Sequence, residues 1–251
     1  MSTTELPLIA RIERVDISDS VYTRIRQMIL LGDLVPGSKV DIDMLADSFG
    51  VSRSTVANAL QSLSLEYLVK IFPHRGTFVR VFGLDELEET YEVRLCLELW
   101  AAKKSVASTT DEQIAKMRRI LDEFVPLFES MERANLAAFA VKNGVFHTFL
   151  VSLANNKRLV DSYKGLHVEF LGYRIHKIRE AGKLNGGTTR EVMLPPARTD
   201  HEEHRAIVDA YAARDLAQVE KEITTHLRRA LDNIVQVAVS RDNSDYTKDL
   251  R

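Results

Sequence analysis

The chain has 251 residues, of which 45% are hydrophobic and 28% are charged, a globular balance that excludes an intrinsically disordered protein. Its 34 Lys and Arg residues are offset by 36 Asp and Glu residues, which gives a formal net charge of −2. The whole molecule therefore lacks the field of a general polyanion binder, so any nucleic-acid surface must be local.

The single cysteine, Cys96, excludes an intramolecular disulfide and a zinc site built from several thiolates. The sequence contains no apolar run of about 18 residues and begins without a signal-peptide pattern. We therefore expect a cytoplasmic protein that has no membrane partner.

The first elements in chain order are two short helices. Ser18 begins a pattern of hydrophobic residues at helical spacing that reaches Ile29, and Gly32 ends it. Asp41 can cap a second helix, and Gly50 turns the chain toward a third.

The third helix begins at Ser52, and a β-hairpin follows it. Two β-rich runs over residues 68–72 and 77–82 are separated by Pro-His-Arg-Gly. Helix, helix, turn, helix and hairpin is the order of a winged helix-turn-helix, in which the third helix enters the major groove of DNA.

After Gly83 the hydrophobic residues recur every three or four positions, as in Leu87, Tyr91 and Leu95. This pattern predicts an all-α bundle of about six helices, over 85–108, 111–132, 135–155, 157–182, 198–214 and 215–240. Residues 182–196 are expected to form an irregular loop. We expect a DNA-binding domain over 1–82, an effector-binding and dimerisation domain over 83–240, and a flexible tail over 241–251.

Charge supports a DNA surface on the third helix and the hairpin. Between residues 48 and 80, four basic residues face one acidic residue, Glu66. Hydroxyls near the helix start can bind phosphate, and Arg53 can reach a guanine edge. The alternative is that Ser52 is only an N-cap and Arg53 only a solvated side chain. The DNA-binding candidates are Lys39, Ser52, Arg53, Ser54, Thr55, Asn58, Gln61, His74, Arg75 and Gly76.

A set of N-terminal residues follows a known family pattern: Val21-Tyr22, Ile29 to Gly32, Pro36-Gly37, Leu45-Ala46, Gly50 to Arg53, Ala59-Leu60, Leu68-Val69 and Arg75 to Val79. With these residues the sequence resembles the GntR family of bacterial transcription regulators. The resemblance implies a homodimer that binds a palindromic operator in double-stranded DNA. The chain departs from the family where Ala57 and Lys39 replace frequent arginines, so the operator sequence does not carry over.

A second set lies in the helical half: Tyr91 to Arg94, Leu97-Glu98, Ala101-Ala102, Phe146-His147, Asn155, Glu203-His204 and His226-Leu227. Here the sequence resembles the FCD domain of the FadR-like branch. In that domain an Asp, a His four residues later and two further histidines hold a divalent metal that receives an effector carboxylate. The matching positions are Asn143, His147, His204 and His226.

The residue types suit such a site, apart from Asn143. Asn143 and His147 lie on one helical face at i, i+4, and imidazoles suit Zn²⁺ or Ni²⁺, the cofactors we expect. A neutral amide gives a cation less charge than a carboxylate does, so weaker metal retention is expected than in relatives with Asp. His201 is left out of the site, because it can equally lie in solvent.

The expected effector is a small organic acid. Arg94 either clamps its carboxylate or forms an ordinary i, i+4 ion pair with Glu98, and Arg174, with His167 and Tyr173, is a further candidate for the cavity. The leading hypothesis is a DNA-binding regulator, not an enzyme, whose operator affinity the acid controls. The alternatives are a regulator with a metal-free cavity for an acyl ligand, and a metal-dependent hydrolase, which would leave the hairpin unexplained.

Overall fold

The chain folds into a winged helix-turn-helix followed by a helical domain, which confirms the predicted fold class. A computed structural model describes residues 17–30, 32–81, 83–129, 133–166 and 189–239. The N-terminal elements are α1 (Ile17–Leu30), α2 (Ile42–Phe49), α3 (Arg53–Leu65), β1 (Val69–Phe72) and β2 (Gly76–Val79). The helices that follow are α4 (Leu84–Ser105), α5 (Asp111–Asp122), α6 (Arg133–Ser152), α7 (157–166), α8 (Thr189–Ala212) and α9 (Leu216–Val239).

The turn between α2 and α3 has the caps that the sequence predicts. The Asp41 carboxylate accepts a hydrogen bond from the Met44 amide at 3.0 Å, and the Ser52 hydroxyl accepts one from the Thr55 amide at 3.2 Å. Gly50 ends α2 with φ +65°, a left-handed conformation that glycine adopts without strain. These caps fix where α3 begins.

α3 packs on α1 through its apolar face, with Val56, Leu60 and Leu63 buried in a core that includes Ile25. The opposite face carries short polar side chains that solvent reaches, including Asn58 and Gln61. Burial of one face thus decides which side chains of α3 are available to a partner.

The hairpin lies next to α3 and has an antiparallel register that pairs Val69 with Val79 and Phe72 with Gly76. Gly76 has φ +108°, and a Cβ there would lie 2.7 Å from Cε of Lys39. Lys39 also forms an isolated β-bridge with Phe78. The segment before α2 is therefore attached to the hairpin.

The helical domain surrounds one apolar core, which includes Met117, Phe124, Phe146, Tyr211 and Ile223. α9 packs against both α4 and α8, and α6 packs against α4 and α5. No helix among the described residues is long and apolar enough to cross a membrane.

Two helix boundaries differ from the sequence-based prediction. The helix predicted over 111–132 ends earlier, because α5 stops at Asp122. Pro126 lies in a separate 3-10 helix, Val125–Phe128. α8 begins at Thr189, so the loop predicted over 182–196 is wrong for residues 189–196. Pro195 and Pro196 lie inside this helix, where their fixed φ suits helical backbone although each removes one N–H donor. The predicted helix over 157–182 is described only as far as residue 166, and residues 167–188 and 241–251 lie outside the described residues.

Candidate functional site

Three histidine side chains meet inside the helical domain. His147 on α6, His204 on α8 and His226 on α9 are 0%, 0% and 2% exposed. Their Nε2 atoms are separated by 3.0 Å (147 to 204), 3.2 Å (204 to 226) and 3.2 Å (226 to 147). We call this arrangement the histidine triangle.

The geometry of the triangle fits a metal ion. A neutral imidazole Nε2 carries either a proton or a lone pair, so three mutually close Nε2 atoms are not satisfied by hydrogen bonds among themselves. Three nitrogens that bind Zn²⁺ tetrahedrally at about 2.0–2.1 Å lie about 3.3 Å from one another, close to the observed separations. The three nitrogens therefore have the spacing of a ligand set.

Two carboxylates, the buried Glu98 and the partly buried Glu203, determine which nitrogen of two rings carries the proton. Nδ1 of His147 lies 3.0 Å from Oε2 of Glu98, and Nδ1 of His226 lies 2.7 Å from Oε2 of Glu203. An ionised carboxylate only accepts hydrogen bonds, so each Nδ1 carries the proton and each Nε2 presents its lone pair to the triangle. Nδ1 of His204 has no hydrogen-bond partner among the described residues.

Glu98 is ionised although it is fully buried. Burial opposes its charge, but His147, Arg94 and Tyr163 outweigh that effect and hold the pKa of Glu98 well below its ordinary value. Arg94 Nε donates to Oε1 at 2.9 Å, and the Tyr163 hydroxyl donates to the same oxygen at 2.5 Å. Arg94 therefore makes the i, i+4 ion pair that the sequence allows.

His147 and His204 are neutral at pH 7, because their pKa values are lowered. Burial lowers the pKa of His147 to about 4, against the attraction of Glu98. Burial also lowers the pKa of His204 well below its ordinary value, and the neighbouring His226 and His147 add to that effect. Neutral imidazole is the form that binds a metal, so His147 and His204 need no deprotonation at pH 7.

Glu203 is held in turn by Arg229. Nη2 of Arg229 donates to Oε2 of Glu203 at 2.6 Å, and Arg229 also pairs with the buried Asp200. Asp200, Glu203 and His226 offer ligand atoms close to one another. Because the guanidinium already pairs with both carboxylates, we interpret this group as a support for His226 rather than as a second cation site.

Asn143 is the fourth predicted ligand and lies one helical turn before His147. The residue is 6% exposed, and its Oδ1 has no hydrogen-bond partner among the described residues. A buried amide oxygen without a partner costs about 1–3 kcal/mol. A cation near the triangle would remove that penalty, so this oxygen also fits a metal.

The other site candidates divide between the described and undescribed parts of the chain. His201 lies outside the triangle and packs beside Phe124 and Phe128. The predicted effector residue Arg174 lies outside the described residues, as do His167 and Tyr173.

The candidate DNA surface is polar and exposed. The Ser52 hydroxyl lies 2.7 Å from that of Ser54 and 2.8 Å from that of Thr55, which forms a hydroxyl cluster at the start of α3. Arg53 pairs with Asp43, with 2.8 Å between Nε and Oδ1. On the hairpin, Arg75 stacks 5.7 Å from the Phe72 ring centre.

The predicted DNA-binding residue His74 lies in the turn of the hairpin, where its φ is +60°.

Sequence patterns missed several residues that the fold adds to these sites. The sequence did not point to Tyr163, Arg229 or Asp43. Each of them contacts a partner many residues away along the chain, and no motif links the two. The sequence pattern places Glu203 beside His204 and does not indicate its contact with His226.

Comparisons with known proteins find two family matches along the chain. Residues 89–229, more than half of the chain, match the family model described as the FCD domain. Residues 17–79 match the model described as bacterial regulatory proteins, gntR family. The chain belongs to the GntR family. It is a DNA-binding transcriptional regulator of the GntR type with an FCD domain.

Individual relatives cover nearly the whole regulator. The HTH-type transcriptional regulator LutR of Bacillus subtilis is 29% identical over 225 residues, which are 82% of this chain and 95% of that protein. The structure of E. coli McbR/YncC has a TM-score of 0.70 at 21% identity and covers 88% of this chain and 98% of that one. A putative GntR regulator from Rhodococcus sp. RHA1 has a TM-score of 0.68 at 23% identity and covers 87% and 97%. These families and relatives are regulators and not enzymes, which contradicts the hydrolase alternative.

The Glu98–Arg94 pair makes a prediction about stability. Glu98→Leu leaves the Arg94 charge buried without its carboxylate, so we expect the free energy of unfolding to fall by about 3–5 kcal/mol. Urea denaturation followed by circular dichroism measures this change. The double variant Arg94→Leu, Glu98→Leu is the control, and it should recover most of the loss because no charge is left unpaired. Equal loss in both variants would contradict the pairing.

Proposed function

We propose that this regulator is a cytoplasmic homodimer that binds a palindromic operator, and that a small organic acid controls its operator affinity. The acid would bind a divalent metal ion in the helical domain. We further propose the division into residues 1–82 for DNA, 83–240 for effector and dimer, and 241–251 as a tail. The observation that carries the proposal is the histidine triangle. Its three nitrogens converge inside the helical domain, which matches the FCD domain.

The proposed ligands are His147, His204 and His226, with Asn143 as the fourth. Three imidazoles suit Zn²⁺ or Ni²⁺, the ions we favour. The bound ion would supply a positive charge for a carboxylate oxygen. Glu98 and Glu203 keep their own oxygens on the outer Nδ1 atoms, which leaves the inner side of the triangle to metal and acid.

Helix α4 offers a physical connection between the two functions. It carries Glu98 at the triangle and Glu86 in its first turn, where Glu86 pairs with Arg80 directly after the hairpin. We propose that binding of an acid changes the position of α4 and thereby the population of the DNA-competent arrangement. Arg94 pairs with Glu98 on the same helix, and we propose that it also helps to bind the carboxylate of the acid, together with Arg174.

The neutral amide of Asn143 favours one alternative, in which the cavity takes an acyl ligand without a metal.

Metal analysis separates the metal site from this metal-free alternative. For protein purified without chelator or affinity tag, we expect about one ion per chain, bound by three buried nitrogens. His204→Ala should lose the ion, and His201→Ala, three residues away and outside the triangle, should keep it. Elemental analysis after addition of Zn²⁺ or Ni²⁺ measures the content, and its absence from the wild-type chain would favour the acyl alternative.

Asn143→Asp tests the fourth ligand. An anionic oxygen should tighten Zn²⁺ binding by about tenfold, equal to about 1.4 kcal/mol of added attraction. Without metal the same variant buries an unpaired carboxylate, so its melting temperature should fall. Competition with a chromophoric chelator measures the first effect, and melting curves with and without Zn²⁺ measure the second. Unchanged Zn²⁺ affinity would mean that residue 143 does not touch the ion.

DNA binding and its control are measured together. The full chain should enrich a palindromic sequence from random duplexes, and Arg53→Ala should remove that specific binding while the fold stays intact by circular dichroism. Carboxylic acids added to the Zn²⁺-loaded complex should release the selected duplex in fluorescence anisotropy. Release by no acid in a broad panel would contradict control by a carboxylate, and unchanged operator affinity of Arg53→Ala would contradict the role of Arg53.

A further inference from the structure

The third helix carries a single charged side chain, and that charge is already paired. Arg53 is the only charged residue in α3, and its Nε lies 2.8 Å from Oδ1 of Asp43 in the first turn of α2. We propose that Asp43 is a specificity-determining residue: it orients Arg53 toward base edges and weakens binding to DNA of arbitrary sequence. This inference rests on the proposed function, in which Arg53 contacts DNA.

The Asp43–Arg53 ion pair contributes little to the stability of the fold. The two side chains are 74% and 61% exposed, and exposed ion pairs contribute only about 0–1 kcal/mol. The start of α2 has its cap without Asp43, because the Asp41 carboxylate accepts the hydrogen bond from the Met44 amide. We therefore assign the effect of Asp43 to DNA binding, on the exposed surface that also carries Arg53.

The charge of Asp43 acts against general DNA affinity. Binding to arbitrary sequences depends on how many phosphates a protein neutralises. Asp43 cancels the charge of Arg53, so this pair adds no net charge at the start of α3, and basic side chains remain on the hairpin at Lys70 and Arg75. Phosphate attraction by charge then comes mainly from the hairpin, and Arg53 on α3 is left to contact base edges, the contacts that carry sequence information.

The position of the contact favours base recognition. A carboxylate at Nε still permits an arginine to present its two outer nitrogens to O6 and N7 of guanine. If Arg53 turned instead toward a phosphate, the Asp43 carboxylate would stay behind near the DNA backbone without its cation. That repulsion disfavours the wrong contact, which is how one charge can separate a correct partner from an incorrect one.

The test compares Asp43→Asn with Asp47→Asn in the full-length chain. Asp47 lies exposed on the same helix and forms no ion pair among the described residues, so its variant changes the charge equally. The probes are a duplex selected from a random library by the wild-type chain and a scrambled duplex of the same composition. Fluorescence anisotropy over a range of salt concentrations gives the dissociation constant for each.

Asp43→Asn should bind the scrambled duplex more tightly without a matching gain for the selected duplex. We expect the ratio of the two affinities to fall about tenfold, as for one lost base contact, and the salt dependence on the scrambled duplex to steepen by about one ion. Asp47→Asn should leave the ratio unchanged. In the Arg53→Ala background, Asp43→Asn should no longer change the ratio.

The inference is overturned if Asp43→Asn keeps the wild-type ratio, if Asp47→Asn lowers it equally, or if the effect persists without Arg53. These outcomes differ from a failure of the proposed function. If Arg53→Ala binds the selected duplex as tightly as wild type, the DNA role of Arg53 is wrong and the role of Asp43 falls with it. If Arg53→Ala loses the selected duplex and Asp43→Asn changes nothing, only the inference about Asp43 is wrong.

Discussion

The helical domain depends on one buried carboxylate, Glu98, that needs partners. Glu98 lies in the interior, where an unpaired charge costs several kcal/mol, and it is stable there because Arg94, Tyr163 and His147 all donate to it. The same contacts join α4, α6 and α7 at one point. On the other side, Glu203 joins α8 to α9 through His226 and Arg229. The histidine triangle is where these two hydrogen-bonded groups meet.

The aromatic core around the triangle explains why His147 and His204 stay neutral. Phe146 and Phe124 lie against His204, with ring centres 4.5 Å and 6.0 Å away, and they keep water from its surface. Low polarity disfavours imidazolium, so His147 and His204 stay in the form that a metal requires. The glutamates support the outer nitrogens and so are not placed to act as a base on a ligand at the inner side.

The side chains of the candidate DNA surface are positioned in a different way. Its candidate side chains are short and exposed, and they are ordered by caps and hydroxyl contacts at the start of α3 rather than by burial. In the free protein the exposed pair of Arg53 with Asp43 contributes little to stability.

Local chemistry let the sequence determine the elements on which both sites lie. Helical spacing, the caps Asp41 and Ser52 and the glycine turn specified the winged helix-turn-helix, because these signals act within a few residues. The histidines were found through resemblance to a family, and the i, i+4 spacing placed Asn143 on the face of His147. Only the tertiary structure decided that the three Nε2 atoms converge, that Tyr163 and Arg229 support the glutamates, and that Asp43 pairs with Arg53. It also carried α8 through Pro195 and Pro196, where local signals predicted a loop. Each of these features depends on contacts between distant segments, and such contacts are set by how the helices pack rather than by the spacing of residues along the chain.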